Sequence, residues 1–217
     1  MENEKLLNTN ESIEIKNQNK RLIGLDILKI LSMFFIIIHH FSKHGGFYWH
    51  ATGFSKIFYL IINCMFLPSV NIFVFVSAYL IVKKNNFKLK RLFYLYFEII
   101  FFAIFTYLLN LLITNESFSF YTIFAILDPF NNGVFWFTNA YMLMYALTPL
   151  LLLIVNKLNK KNYFIFICIL LLVTIFCQYT NLWNILNNGF SYMWFIFLFF
   201  FAGYQAKFGI NLKNGFG

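Results

Sequence analysis

A largely polar stretch of twenty residues opens the chain, and apolar runs of helix-spanning length then recur six times, at about 22–41, 57–82, 92–113, 134–155, 163–178 and 190–206. Each is close to the ~20 residues with which an α-helix crosses a hydrocarbon core ~30 Å thick. Only helices satisfy their own backbone groups in lipid at this length, so the pattern predicts an all-α, polytopic transmembrane bundle of about six spans. Pro68 and Pro149 fall inside the second and fourth runs, where each is expected to kink the helix or free a carbonyl. Asn63 and Asn71 lie close to the first of them. Between the third and fourth runs, FYTIFAIL (120–127) is an apolar piece of eight residues, too short to cross, and is expected at the interface before a DPFNNG turn.

Composition agrees with this reading and narrows it. Of 217 residues, 60% are hydrophobic and 12% charged, more apolar surface than one soluble core hides. Residues 1–20, with four Glu and three Lys, read as a flexible cytoplasmic tail. Residues 21–207 form one membrane domain without a soluble module or internal repeat, and 208–217 a short stub. Cys64, Cys168 and Cys177 all sit in apolar runs, so packing is expected rather than a disulfide framework. No cleavage pattern follows the first run, which is expected to stay as a helix.

The basic residues set the orientation. Four precede the first run, five lie in KKNNFKLKR (83–91), three between the fourth and fifth runs and two after the sixth, at Lys207 and Lys213. The alternate connections hold only Lys43 and Lys56. The positive-inside rule therefore predicts both termini in the cytoplasm.

The first run carries the chemistry that hydropathy does not explain. At about 100° per residue, eleven positions turn a helix only about 20° past three full turns, so Lys29 and His40 share a face about 16.5 Å apart along the axis. His39 points elsewhere. Asp26, three residues before Lys29, is near enough for an ion pair that lowers the cost of both charges. Ionisable groups in a span usually face a cavity or a partner. The plainer alternative is a lysine snorkelling inward and interfacial histidines at His39, His40 and His44. No metal site is expected, since no Cys, Asp or Glu lies near the histidines to complete a zinc ligand set.

Five blocks in order, LDILKILSMFFIIIHHF, NIFVFVSAYLI, KLKRLFYLY, FWFTNAYMLMYALTPLLL and FLFFFAGYQAKF, resemble the integral-membrane acyltransferase 3 family, O-acyltransferases of surface polysaccharides and related glycans. The resemblance spans most of 22–207, and the family's basic residue, ten-residue gap and histidine fall on Lys29 and His40. Family members often have arginine at the position of Lys29 and a proline after the later basic residues, where this chain has Tyr94, Tyr96 and Glu98. The family usually has about ten spans, so the six here correspond to its N-terminal portion.

The resemblance implies an acyltransferase of the plasma membrane, multi-pass and in contact with lipid. Its donor is cytoplasmic acyl-CoA, usually acetyl-CoA, with no permanently bound cofactor. Its acceptor is a glycan or other hydroxyl at the outer face, and no nucleic-acid partner is implied. His40 would be the general base, as imidazole suits proton transfer near neutral pH, with Lys29 and Asp26 completing the catalytic set. Lys90, Arg91 and Lys29 would hold the donor's phosphates, although a basic loop also serves insertion and lipid contact. Phe47, Tyr48, Trp49 and His50, and Trp136, Phe137 and Tyr141, would stack on a sugar or anchor the interface; Trp49, Trp136 and Tyr141 are the substrate-binding candidates. A transporter or flippase-like protein, and a non-catalytic remnant of an acyltransferase, are the alternative readings of the same residues.

Overall fold

The computed structural model describes residues 23–85, 87–114, 117–127, 135–180 and 192–209. The polar tail, the DPFNNG turn and residues 210–217 lie outside these, as do the side chains of Phe47 and Tyr48. All regular structure among the described residues is helical. The helices are α1 (Ile23–His44), α2 (Phe47–His50), α3 (Gly53–Phe66), α4 (Ser69–Lys84), α5 (Leu89–Thr114), α6 (Phe120–Leu127), α7 (Trp136–Lys157), α8 (Lys160–Thr180) and α9 (Tyr192–Phe208). The apolar runs locate them well, and α6 coincides with FYTIFAIL.

Among the described residues, five segments are long and apolar enough to cross a membrane: Ile23–His44, Gly53–Lys84, Leu89–Thr114, Trp136–Lys157 and Lys160–Cys177. The sixth run forms α9, whose 17 residues span about 25 Å of helix, less than a ~30 Å core.

The breaks between helices follow specific residues. α1 ends at a glycine pair: the Gly45 N–H donates to the Phe41 carbonyl at 2.8 Å and Gly46 takes φ +79°, a left-handed value that a Cβ disfavours. Within Gly53–Lys84 the interruption is Pro68, which has no N–H to donate to the preceding turn. Leu67 stays helical at φ −52°, ψ −41°. Its N–H still reaches the Asn63 carbonyl (3.0 Å), and Ile72 N–H reaches that of Pro68 (3.0 Å). The helix therefore kinks between α3 and α4 instead of stopping.

The chain divides into two compact units, Met1–Leu80 and Ile81–Gly217. In the first, α1 packs on α3 and α2, with Phe35 stacked on Phe66 at a ring separation of 4.7 Å. Ser32 is the buried residue of α1, and its hydroxyl returns to the Leu28 carbonyl at 2.7 Å.

In the second unit α7 is the hub. α9 packs on α7 and α8, and α5 on α7 and α6. Met144, Tyr145, Thr148 and Val155 of α7, Tyr163 of α8 and Phe195 and Phe199 of α9 are at most 2% exposed. Gly203 permits the close approach here: a Cβ on it would lie 2.5 Å from the Tyr163 hydroxyl and 3.4 Å from a Val155 methyl. That hydroxyl donates to the Phe200 carbonyl at 3.0 Å, tying α8 to α9. Lys207 then closes the end of α7, its ammonium donating to the carbonyls of Val155 (2.9 Å), Asn156 (3.1 Å) and Leu158 (3.1 Å). These are the carbonyls a helix C-terminus leaves without partners, and a cation suits that end of the helix dipole. Two tyrosines of α5 fix α6: Tyr96 donates to the Leu127 carbonyl (3.0 Å) and Tyr107 accepts from the Ser119 N–H (2.8 Å).

Candidate active site

α1 is unbroken from Ile23 to His44, so Lys29 and His40 lie on one line of the helix, three turns apart. Lys29 is half-buried, with its ammonium 4.7 Å from the centre of the Phe73 ring of α4. At that distance the ring face attracts the ammonium and helps to hold it in place. Asp26, one turn earlier, is also half-buried.

At the other end of the line His40 is exposed and stacks on His44, ring centres 5.7 Å apart and planes 7° from parallel. His39 meets His40 edge-on at 5.8 Å but belongs to another face. Helix periodicity puts His39 about 20° from Ser32 and His40 about 80° from it. His39 is thus half-buried on the packed stripe, facing Asn63 of α3. His39 Nδ1 and Asn63 Oδ1 are both out of solvent, with no hydrogen bond of standard geometry to either atom. The two imidazoles therefore differ in kind: one is held in the packing, the other is exposed. Beyond them, Trp49 on α2 is 79% exposed.

The remaining site candidates lie in the second unit. Trp136 is half-buried at the start of α7, and Tyr141 is buried. Phe137 stacks on Tyr141 at 6.1 Å, and both Trp136 and Phe137 meet Phe195 edge-on, at 6.4 and 5.8 Å. Trp136 and Tyr141 therefore share one aromatic cluster, in which Tyr141 packs inside.

Lys83, Lys84, Lys88, Lys90 and Arg91 are all exposed where α4 gives way to α5. α4 stops at Asn85, in the left-handed region at φ +43°; its N–H donates to the Val82 carbonyl at 3.1 Å. The Asn156 amide donates to the Asn85 side chain at 3.4 Å. Next along the chain, the Tyr145 hydroxyl donates to the Lys88 carbonyl (3.1 Å) and accepts from the Lys88 N–H (3.3 Å). The Arg91 guanidinium stands over the same Tyr145 ring, 5.8 Å from its centre.

Sequence reasoning singled out Lys90 and Arg91 but passed over Tyr145, which contacts the Lys88 main chain and Arg91, and Lys207, which it counted only as a topological charge. A signal for Tyr145 is its place in YMLMY: four residues after Tyr141, it continues the same face toward the basic end. Lys207 follows Gly203 by one turn, and so shares the face that makes the closest approach.

A family described as an acyltransferase domain matches residues 22–214, most of the chain and all the helices above. No curated protein and no solved structure matches significantly. The matched segment contains Lys29 and His40, the α4–α5 basic junction and the aromatic start of α7, and the chain belongs to the acyltransferase 3 family.

Proposed function

We propose that this membrane protein moves an acyl group, acetyl in the simplest case, from a cytoplasmic CoA thioester to a hydroxyl of a glycan outside the plasma membrane. The observation that carries the reading is the α1 line, a half-buried cation and an open imidazole on one face of a spanning helix, in a chain of an acyltransferase family. Membership of that family favours covalent transfer over simple passage of an ion or substrate.

In this reading an imidazole nitrogen of His40 takes the proton of the acceptor hydroxyl as its oxygen attacks the thioester carbonyl carbon. The tetrahedral intermediate collapses with cleavage of the C–S bond. The CoA thiolate leaves and takes up the proton from the imidazolium, so the products are an O-acyl ester and free CoA. Lys29 stands too far from His40, about 16.5 Å along the helix, for both to act on one atom. Its role is to hold negative charge of the donor deeper in the membrane, its position kept by Phe73 and its field balanced by Asp26. Lys90 and Arg91 bind the donor's phosphates, where a guanidinium offers paired donors and an ammonium a point charge. Trp49 and Trp136 offer aromatic faces to the sugar, with Tyr141 backing the second.

Membranes carrying the protein, given radiolabelled acetyl-CoA, are expected to yield acetylated glycan. His40→Ala is expected to lower the yield by a factor on the order of 10² to 10⁴. Undiminished acetylation in that variant removes His40 from the mechanism, and transport of a substrate without any acylation contradicts the reading as a whole.

A further inference from the structure

The α4–α5 junction is held by a residue that does not face outward. Tyr145 is 2% exposed, and a buried phenol must find a hydrogen-bond partner. One acceptor would satisfy it. Instead its hydroxyl takes both the N–H and the C=O of Lys88, 57 positions away in sequence. Phe87 packs against the Tyr145 ring, centres 5.3 Å apart, and Arg91 lies over it.

We infer that Tyr145 is a positioning residue for donor binding: it locks the register of the chain at Lys88 and steers Arg91, so that the exposed cations of this junction form a preset receptor for the phosphates of acyl-CoA. The inference rests on the acyl-transfer reading above and assigns the donor end of it.

Residues 87 and 88 are not helical, so without a tie the main chain here would be free to vary, and each long cation would lose its own entropy on binding a phosphate. The Tyr145 clamp removes that freedom in advance. Arg91 starts the first full turn after the clamp, its N–H donating to the Lys88 carbonyl at 2.9 Å, so fixing Lys88 fixes the direction in which Arg91 leaves the helix. The contact with the ring, 5.8 Å from its centre, biases where the guanidinium sits while its N–H donors stay available to a phosphate. Tyr145 itself touches no donor atom in this account.

The test is steady-state acyl transfer by purified full-length protein in detergent, with KM for acetyl-CoA and kcat determined separately. Tyr145→Phe keeps the ring and deletes the hydroxyl; KM is expected to rise about fivefold to tenfold with kcat within about twofold of wild type. Arg91→Lys keeps the charge and loses the guanidinium fork. It is expected to raise KM comparably, and the double variant to exceed the worse single by less than the product of the two, because both act through one arrangement. An unchanged KM in Tyr145→Phe, or a fall in kcat alone, overturns the inference. Should Tyr145→Phe fail to accumulate, Phe87→Leu loosens the same junction from its other side and is expected to raise KM about threefold; an unshifted KM there overturns it equally. Equilibrium binding of free CoA to the same preparations separates the two claims. Wild-type protein that binds CoA but makes no ester contradicts acyl transfer while the Tyr145 comparison is still read from the dissociation constants. Wild-type protein that binds no CoA overturns both.

Discussion

α1 and α7 are each 22 residues long and equally apolar, yet 6% of the span is buried in one and 56% in the other. Lipid tails are as apolar as leucine, so an Ile or Phe gains little by choosing a neighbouring helix over the bilayer. What separates the two helices is their small and polar residues. α7 turns Asn139, Ala140, Thr148 and the hydroxyl of Tyr145 inward, groups that gain from close backbone approach or from a hydrogen bond. In α1 the one buried residue is Ser32, and Lys29 and His40 stand about 60° and 80° off that packed line, with His39 alone of the three close to it. In the proposed reading one helix is framework and the other presents chemistry. Keeping charge in a span costs about 2.5–3.5 kcal/mol per group, which is hard to account for in a helix that contributes so little packing unless the groups do something else.

The comparison can be broken from either side. Gly203→Leu strikes the framework where a first side-chain carbon already meets Tyr163 at 2.5 Å. We expect a loss of about 3 kcal/mol or more, read as a collapse in the yield of monodisperse protein. Lys29→Met strikes the chemistry: acyl transfer should fall at least about tenfold, the scale of a lost charge interaction, with the melting temperature little changed, whereas Lys29→Arg should keep most activity because a guanidinium stacks on Phe73 at least as well. Lys207→Met removes the cap on α7 and should cost about 1 kcal/mol in thermal denaturation without altering KM for the donor. Leu172→Ala, at a position 65% exposed on α8, should change stability by less than about 0.5 kcal/mol. A large effect there would mean that this face is covered by protein.

Hydropathy made the helices legible because length and apolarity alone decide what can cross a bilayer. Even the break at Pro68 was visible, since a proline's missing N–H is a local property. The packed faces were not. Leu153 is 58% exposed and Leu152 7%, though neighbours of identical chemistry, and only the packing of other helices on α7 distinguishes them. Within the site, periodicity was enough to align Lys29 with His40 and set His39 apart. That His39 faces Asn63, and that a tyrosine more than fifty residues downstream holds the basic junction, depend on contacts distant in sequence and leave no mark in a local pattern.

The central claim is that the open imidazole, His40, carries the proton while its neighbour His39 serves the packing. Labelled acetyl transfer and thermal denaturation of His40→Ala and His39→Ala, measured side by side on purified protein, test it most directly. The account predicts that His40→Ala melts like wild type and loses transfer, whereas His39→Ala melts earlier and still transfers. Transfer that survives in His40→Ala, or is abolished in His39→Ala at wild-type stability, would contradict it.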